Sequence, residues 1–157
     1  MSDSPRVLVV DDQVGDIEWL LDRILYRGYE IVVATNERAA RKRLDAVKKG
    51  EESYALAIVD VMVAIMDLAD LVTLDEEFFV ESRDTGIRLC RYVREELGIS
   101  PNELPIVSLT VRDDPEVKAA MEELGIPLVS REPGGGPADL LDEYLERHLP
   151  RIARSSA

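Results

Sequence analysis

Short apolar runs recur along this chain at intervals filled by helix-period segments, and that alternation limits the folds open to it. Val7-Leu8-Val9-Val10, Ala57-Ile58-Val59 and Ile106-Val107-Ser108-Leu109 are strand-sized and show no regular polar alternation. Such runs read as strands buried on both faces, the signature of a parallel sheet. The spacing predicts strands over Arg6–Val10, Glu30–Ala34, Tyr54–Val59, Pro105–Leu109 and Pro127–Ser130. Between them, Gly15–Tyr26 places Ile17, Leu20, Leu21, Ile24 and Leu25 at helical spacing before Gly28. Thr35-Asn36 opens a basic helix that runs to Lys49 and closes at Gly50. Further helices are predicted over Gly86–Leu97, from Asp113-Asp114-Pro115 to Leu124, and over Pro137–Leu149. Five strands alternating with five helices imply an α/β fold, a doubly wound five-stranded parallel sheet covered on both faces. One domain is expected over residues 1–150, with 151–157 as a short tail and no internal repeats.

Charge narrows the partners. Lys and Arg total 19 against 32 Asp and Glu, a formal net charge of −13, which argues against nucleic acid and anionic membrane surfaces. No apolar stretch approaches the roughly 20 residues of a membrane span. The opening Met-Ser-Asp-Ser-Pro lacks the charged and apolar regions of a secretory leader. The single cysteine, Cys90, has no internal disulfide partner and lies in an apolar helical stripe, so it reads as a core residue. A cytoplasmic location is expected.

Acidic residues end two of the strands. Val7–Val10 runs into Asp11-Asp12, and Ala57–Val59 runs into Asp60. Ligands of open α/β sheets bind beyond the carboxyl ends of the strands. If these strands are neighbours, three carboxylates share one crevice, where like charges about 4 Å apart repel by roughly 4 kcal/mol at an effective dielectric of 20. A hard divalent cation such as Mg²⁺ offsets that repulsion most simply. In the competing reading, Asp11-Asp12 cap a helix and Asp60 lies in a loop. Leu109 is followed by Thr110, whose hydroxyl can hydrogen-bond an anion above the carboxylates.

The combination Val-Asp-Asp, Val-Asp and Leu-Thr at these spacings resembles the receiver domains of two-component response regulators, over nearly the whole chain. The resemblance implies a flavodoxin-like fold with strand order 2-1-3-4-5. It also implies that Asp60 accepts a phosphoryl group from a histidine kinase or phosphotransfer protein. Asp11 and Asp12 would bind Mg²⁺ together with Asp60 and the backbone carbonyl of Met62, and Thr110 would be the switch hydroxyl. Output would pass through a downstream protein partner, with a homodimer left open. In that role the chain is a signalling module rather than an enzyme.

The chain departs from the family pattern in several places. Where receivers carry a lysine before a proline, this sequence has Glu132-Pro133. Arg131 is a candidate substitute, although strand alternation sends it to the opposite side. Val129 occupies the usual aromatic switch position, and Val111 replaces the small residue after the switch hydroxyl. Between Asp60 and Gly86 lie 25 residues, where such connections usually take two to six. Within them, 68–85 form an insertion after Asp67 that carries Leu68, Leu71, Val72, Phe78 and Phe79 among acidic residues. A partly ordered element over the site, or a docking surface, is expected there, against the alternative of a disordered loop.

Other features weigh less. Arg38, Arg41, Lys42 and Arg43 read as a solvated basic face, His148 as a surface residue, Trp19 as packed or half-exposed, and Gly134-Gly135-Gly136 as a flexible connection. Two further functions compete with phosphoacceptance. One is a phosphorylation-independent pseudo-receiver that acts as a protein-binding module, suggested by Glu132. The other is a metal-dependent phosphohydrolase, disfavoured because Met62 stands where its aspartate acid/base is expected.

Overall fold

The structure is a computed structural model that describes residues 5–63, 84–110, 114–130 and 138–152. Arg6–Val10 forms β1, and a 3₁₀ turn over Val14–Ile17 leads into α1 (Glu18–Tyr26). Then come β2 (Glu30–Ala34), α2 (Glu37–Lys48) and β3 (Leu56–Asp60). Next, α3 (Thr85–Arg91) runs into a π-helical turn at Tyr92–Glu96. The remaining elements are β4 (Ile106–Thr110), α4 (Pro115–Leu124), β5 (Leu128–Ser130) and α5 (Ala138–His148). The strands make one parallel sheet in the order β2-β1-β3-β4-β5, as expected from the sequence.

Alternation along each strand sends successive side chains to opposite faces. Leu8, Val10, Ala57, Val59 and Ile106 pack with Leu44 of α2, Cys90 of α3 and Val117 and Met121 of α4. Val7, Val9, Leu56, Ile58, Val107 and Leu109 pack with Leu20 and Ile24 of α1 and Leu141 and Leu145 of α5. Continuous apolar strands therefore feed two cores at once. Among the described residues, no helix is long and apolar enough to cross a membrane.

Local chemistry sets the helix ends. Asn36 Oδ1 accepts a hydrogen bond from the Ala39 amide at 2.8 Å, and Asp114 caps α4 through the Glu116 amide at 2.9 Å. Gly28 stops α1 at φ +97°, where a side chain would be strained and would press on Ile152. The Ile152 amide donates to the Arg27 carbonyl at 2.9 Å, and Tyr29 Oη donates to the Pro150 carbonyl at 2.8 Å. Residues 151 and 152, placed in the tail by the sequence, thus lie against the end of α1.

Several boundaries differ from expectation. The third strand starts at Leu56 rather than Tyr54; the Tyr54 hydroxyl binds Glu52, and the Arg6 guanidinium lies over its ring, 5.0 Å from the centroid. It also includes Asp60, whose register partner is Leu109. The helix expected from Gly15 opens as a 3₁₀ turn, with no side-chain cap at Gln13. The helix expected over Gly86–Leu97 starts at Thr85 and widens at Tyr92, whose hydroxyl donates to Asp45 of α2.

Burial pushes the Cys90 thiol from its ordinary 9.0 up to about 12, with Arg94 nearby pulling weakly the other way. Folding favours the neutral thiol, so this contribution to stability is complete below pH 9 and fades as pH rises toward 12. A maleimide reagent at pH 8 should leave Cys90 unlabelled in the folded chain and label it once urea unfolds the protein. Rapid labelling without denaturant would contradict the burial.

Candidate functional site

The site grows out of the pairing of β1 with β3, in which Val10 is the register partner of Val59. The residues that follow, Asp11 and Asp60, therefore emerge side by side at one edge of the sheet. The Asp11 amide donates to the Ala34 carbonyl of β2 at 3.1 Å, and its carboxylate accepts the Gln13 amide at 2.7 Å. Asp11 is fully buried, Asp60 is 6% exposed, and Asp12 faces solvent. One carboxylate oxygen from each of the three lies within 4.8 Å of the others. Helix capping does not explain Asp11 and Asp12, and Asp60 is a strand residue rather than a loop residue. Three hard oxygen donors, two of them buried and one open to solvent, suit a divalent cation such as Mg²⁺. Among the described residues, no other group of three acidic, His or Cys side chains could hold a metal.

Gly86 forms the floor beneath Asp60. Its amide donates to the Val61 carbonyl at 2.8 Å. A Cβ on this residue would stand 2.3 Å from the Asp60 carbonyl oxygen and 2.6 Å from Val61 Cα. Helix α3 can start this close to β3 only because Gly86 has no side chain. Thr85, placed by the sequence at the end of the insertion, is instead the fully buried first residue of that helix. Arg88 donates to Thr85 Oγ1 at 3.2 Å and to both carboxylate oxygens of Glu37 at 3.3 and 3.4 Å. The resemblance singles out Asp67 and Gly86 as the aspartate and glycine that in receivers follow soon after the phosphoacceptor, here 18 residues apart. Sequence reasoning missed the contact that Gly86 makes with Asp60 and the Glu37–Arg88 pair.

The other candidates sort as follows. Thr110 ends β4 one position past Leu109, the partner of Asp60, and Ser130 is its own partner in β5. Met62, two residues past Asp60, is 44% exposed. Ser108 turns its hydroxyl to the Val59 carbonyl at 2.9 Å and helps hold β3 against β4. Val129 is buried in the core. Arg131, Glu132, Val111, Asp67, Gly134–Gly136 and positions 68–83 lie outside the described residues. The basic face of α2 is only partly solvated. Arg38 and Lys42 are exposed, whereas Arg41 covers the Tyr92 ring at 4.3 Å and Arg43 pairs with Glu52 at 2.7 Å. Trp19 is half-buried with the Arg23 guanidinium over its ring, and half-buried His148 stacks on Tyr144.

No protein-family model and no curated protein matches the sequence. Solved structures do match. The receiver domain of a CheY-like response regulator from Methanospirillum hungatei is 19% identical, with a TM-score of 0.60 over 92% of this chain and 94% of that one. The Francisella response regulator 1452 receiver domain is 20% identical, with a TM-score of 0.61 over 94% and 98% of the two chains. The chain has the receiver fold. A Burkholderia pseudomallei response regulator with a phosphorylated aspartic acid and a calcium ion shares that fold, at 18% identity and a TM-score of 0.59, over 93% of this chain and 66% of that one. At these identities the likeness is one of fold, and the receiver site must be argued from this chain's own carboxylates.

Gly86→Ala tests the floor of the site. The added methyl must displace the Asp60–Val61 peptide, and overpacking of this kind costs about 1–3 kcal/mol. Thermal unfolding should show a clear drop in Tm. At Gly15, where nothing lies within 4 Å of a Cβ, the same change should move Tm far less. Equal effects at both positions would show that the close approach carries no special cost.

Proposed function

We propose that this chain is a response-regulator receiver that takes a phosphoryl group on Asp60 and passes the signal to a protein partner. The observation that carries this reading is a near-buried aspartate at the end of β3, within 4.8 Å of two further carboxylates, on the receiver fold. The Burkholderia relative, with its phosphorylated aspartic acid and calcium ion, supports both parts of the chemistry.

In this reading, Asp11, Asp12, Asp60 and the Met62 carbonyl hold Mg²⁺, which when bound offsets the negative charge between the carboxylates and an incoming phosphoryl group. An Asp60 oxygen attacks the phosphorus of a phosphohistidine on a kinase or phosphotransfer protein. The new P–O bond forms as the P–N bond breaks, and the imidazole leaves with the bonding electron pair. Thr110 donates its hydroxyl to a phosphoryl oxygen. Arg131 is the candidate cation in place of the family lysine, and Glu132 opposes it. The setting is cytoplasmic, and the partners are proteins rather than nucleic acid or membrane. Glu132 also supports the second reading, a pseudo-receiver that binds its partner without phosphorylation.

The experiment is to incubate the full chain with acetyl phosphate and Mg²⁺ and measure its intact mass. The parent should gain one phosphoryl group, and Asp60→Asn or chelation of Mg²⁺ should abolish the gain. Glu132→Lys should raise the modified fraction at fixed donor. If neither the parent nor Glu132→Lys gains mass, the phosphorylation-independent module becomes the better reading. Catalytic consumption of donor over many turnovers would instead favour the phosphohydrolase.

A further inference from the structure

Two hydrogen-bonded routes lead away from the carboxylate cluster and meet at one ion pair. The first starts at Asp11, whose amide is bonded to the Ala34 carbonyl at the end of β2. Three residues later, Glu37 opens α2, immediately after the Asn36 cap. The second starts at Asp60 and Val61, against which Gly86 packs without room for a Cβ. Thr85 and Arg88 stand on that same first turn of α3. Arg88 closes the circuit with two hydrogen bonds to Glu37 and one to Thr85. Glu37 is only 8% exposed, unusual for a glutamate in the first turn of a helix. Arg41 approaches the same carboxylate at 3.7 Å.

We infer that the Glu37–Arg88 pair is a clamp that steadies the backbones on either side of Asp11 and Asp60 in the places the β1–β3 pairing gives them. Both are positioning residues, since neither belongs to the carboxylate cluster. The planar guanidinium meets the carboxylate through two donors, so it constrains the orientation of α3 against α2 as well as their distance. A lysine offers a point charge and loses that orientation. Groups hydrogen-bonded directly to a metal ligand change affinity by about 10–100-fold when removed, and a pair that acts one step farther out, through the backbone, is expected at the low end of that range. For its metal arm, the inference rests on the Mg²⁺ reading of the site given above.

The test uses the full chain and two measurements. Amide hydrogen exchange, in the absence of metal, should quicken at Gly86 and Asp11 in Arg88→Met while remaining at the parent rate at Glu30, which is bonded to Pro5 at the far end of β2. Calorimetric titration with Mg²⁺ alone should show about tenfold weaker binding in Arg88→Met, with Arg88→Lys recovering part of the loss. Arg43→Met breaks the Arg43–Glu52 ion pair farther along α2 and should retain the parent affinity. Unchanged exchange at Gly86 and Asp11 overturns the clamp whether or not metal binds. Quickened exchange with parent-like Mg²⁺ affinity overturns its positioning role, and so does an equal loss in Arg43→Met. A parent that takes up no Mg²⁺ overturns both the metal reading and the positioning of a metal site, while the exchange data still decide whether the clamp holds the two backbones.

Discussion

The parallel pairing of β1 with β3 is the constraint on which the rest of the molecule depends. It sets Val10 beside Val59, and so brings Asp11 and Asp60 out of the sheet together. A parallel pair in the middle of a sheet must be covered on both faces, which accounts for the two cores and for strands in which nearly every side chain is apolar. The chemistry follows from the same pairing. Two strands with separate partners would have delivered two isolated acids to the surface. As neighbours, they deliver a crowded, buried pair whose mutual repulsion favours a cation.

The architecture was legible because buried parallel strands write themselves as unbroken apolar runs, and β1 and β2 were read to the residue as Arg6–Val10 and Glu30–Ala34. The limits of the other three strands were less legible. Tyr54 and Ala55 look like strand residues, yet the register with β1 begins at Leu56, the partner of Val7. The acidic trio was legible because its meaning depends only on sequence position relative to strand ends. Gly86 was legible only through the family resemblance, and its contact with Asp60, 26 positions earlier, was not legible at all, because no local pattern encodes it. The Glu37–Arg88 pair spans 51 positions and was hidden in the same way. The basic face of α2 was half misread for a related reason. Arg41 and Arg43 have partners supplied by the π-helical turn and by the residues before β3.

Charge in this chain is arranged by depth. Over the whole chain, an excess of 13 negative charges keeps the protein acidic, and at the surface contacts between α1 and α5 such as Arg23–Asp142 at 2.7 Å are exposed pairs of small energetic weight. Toward the site, Asp11 accepts a backbone amide and Glu37 accepts an arginine. The Gln13 amide lessens the cost of burying Asp11. Glu37 is held by the Arg88 guanidinium. Two buried carboxylates near the same edge thus differ in placement: Asp11 stands in the three-carboxylate cluster, and Glu37 ties one helix to another.

The same geometry explains how the fold tolerates a long connection directly after the residue on which its chemistry centres. The Gly86 amide is bonded to the Val61 carbonyl, so the two ends of the connection meet whatever lies between them. Between those residues stand 24 positions, 62–85. For a flexible chain, each doubling of loop length costs about 0.6 kcal/mol, so lengthening from about six residues to this size costs about 1.2 kcal/mol. That is a small sum beside the burial of Ile87, Leu89, Cys90 and Val93 on the helix that follows. The insertion is therefore cheap where both of its ends are pinned. Because one end is the peptide of Asp60 and the other is the floor beneath it, additional chain enters and leaves the fold at the carboxylate cluster itself.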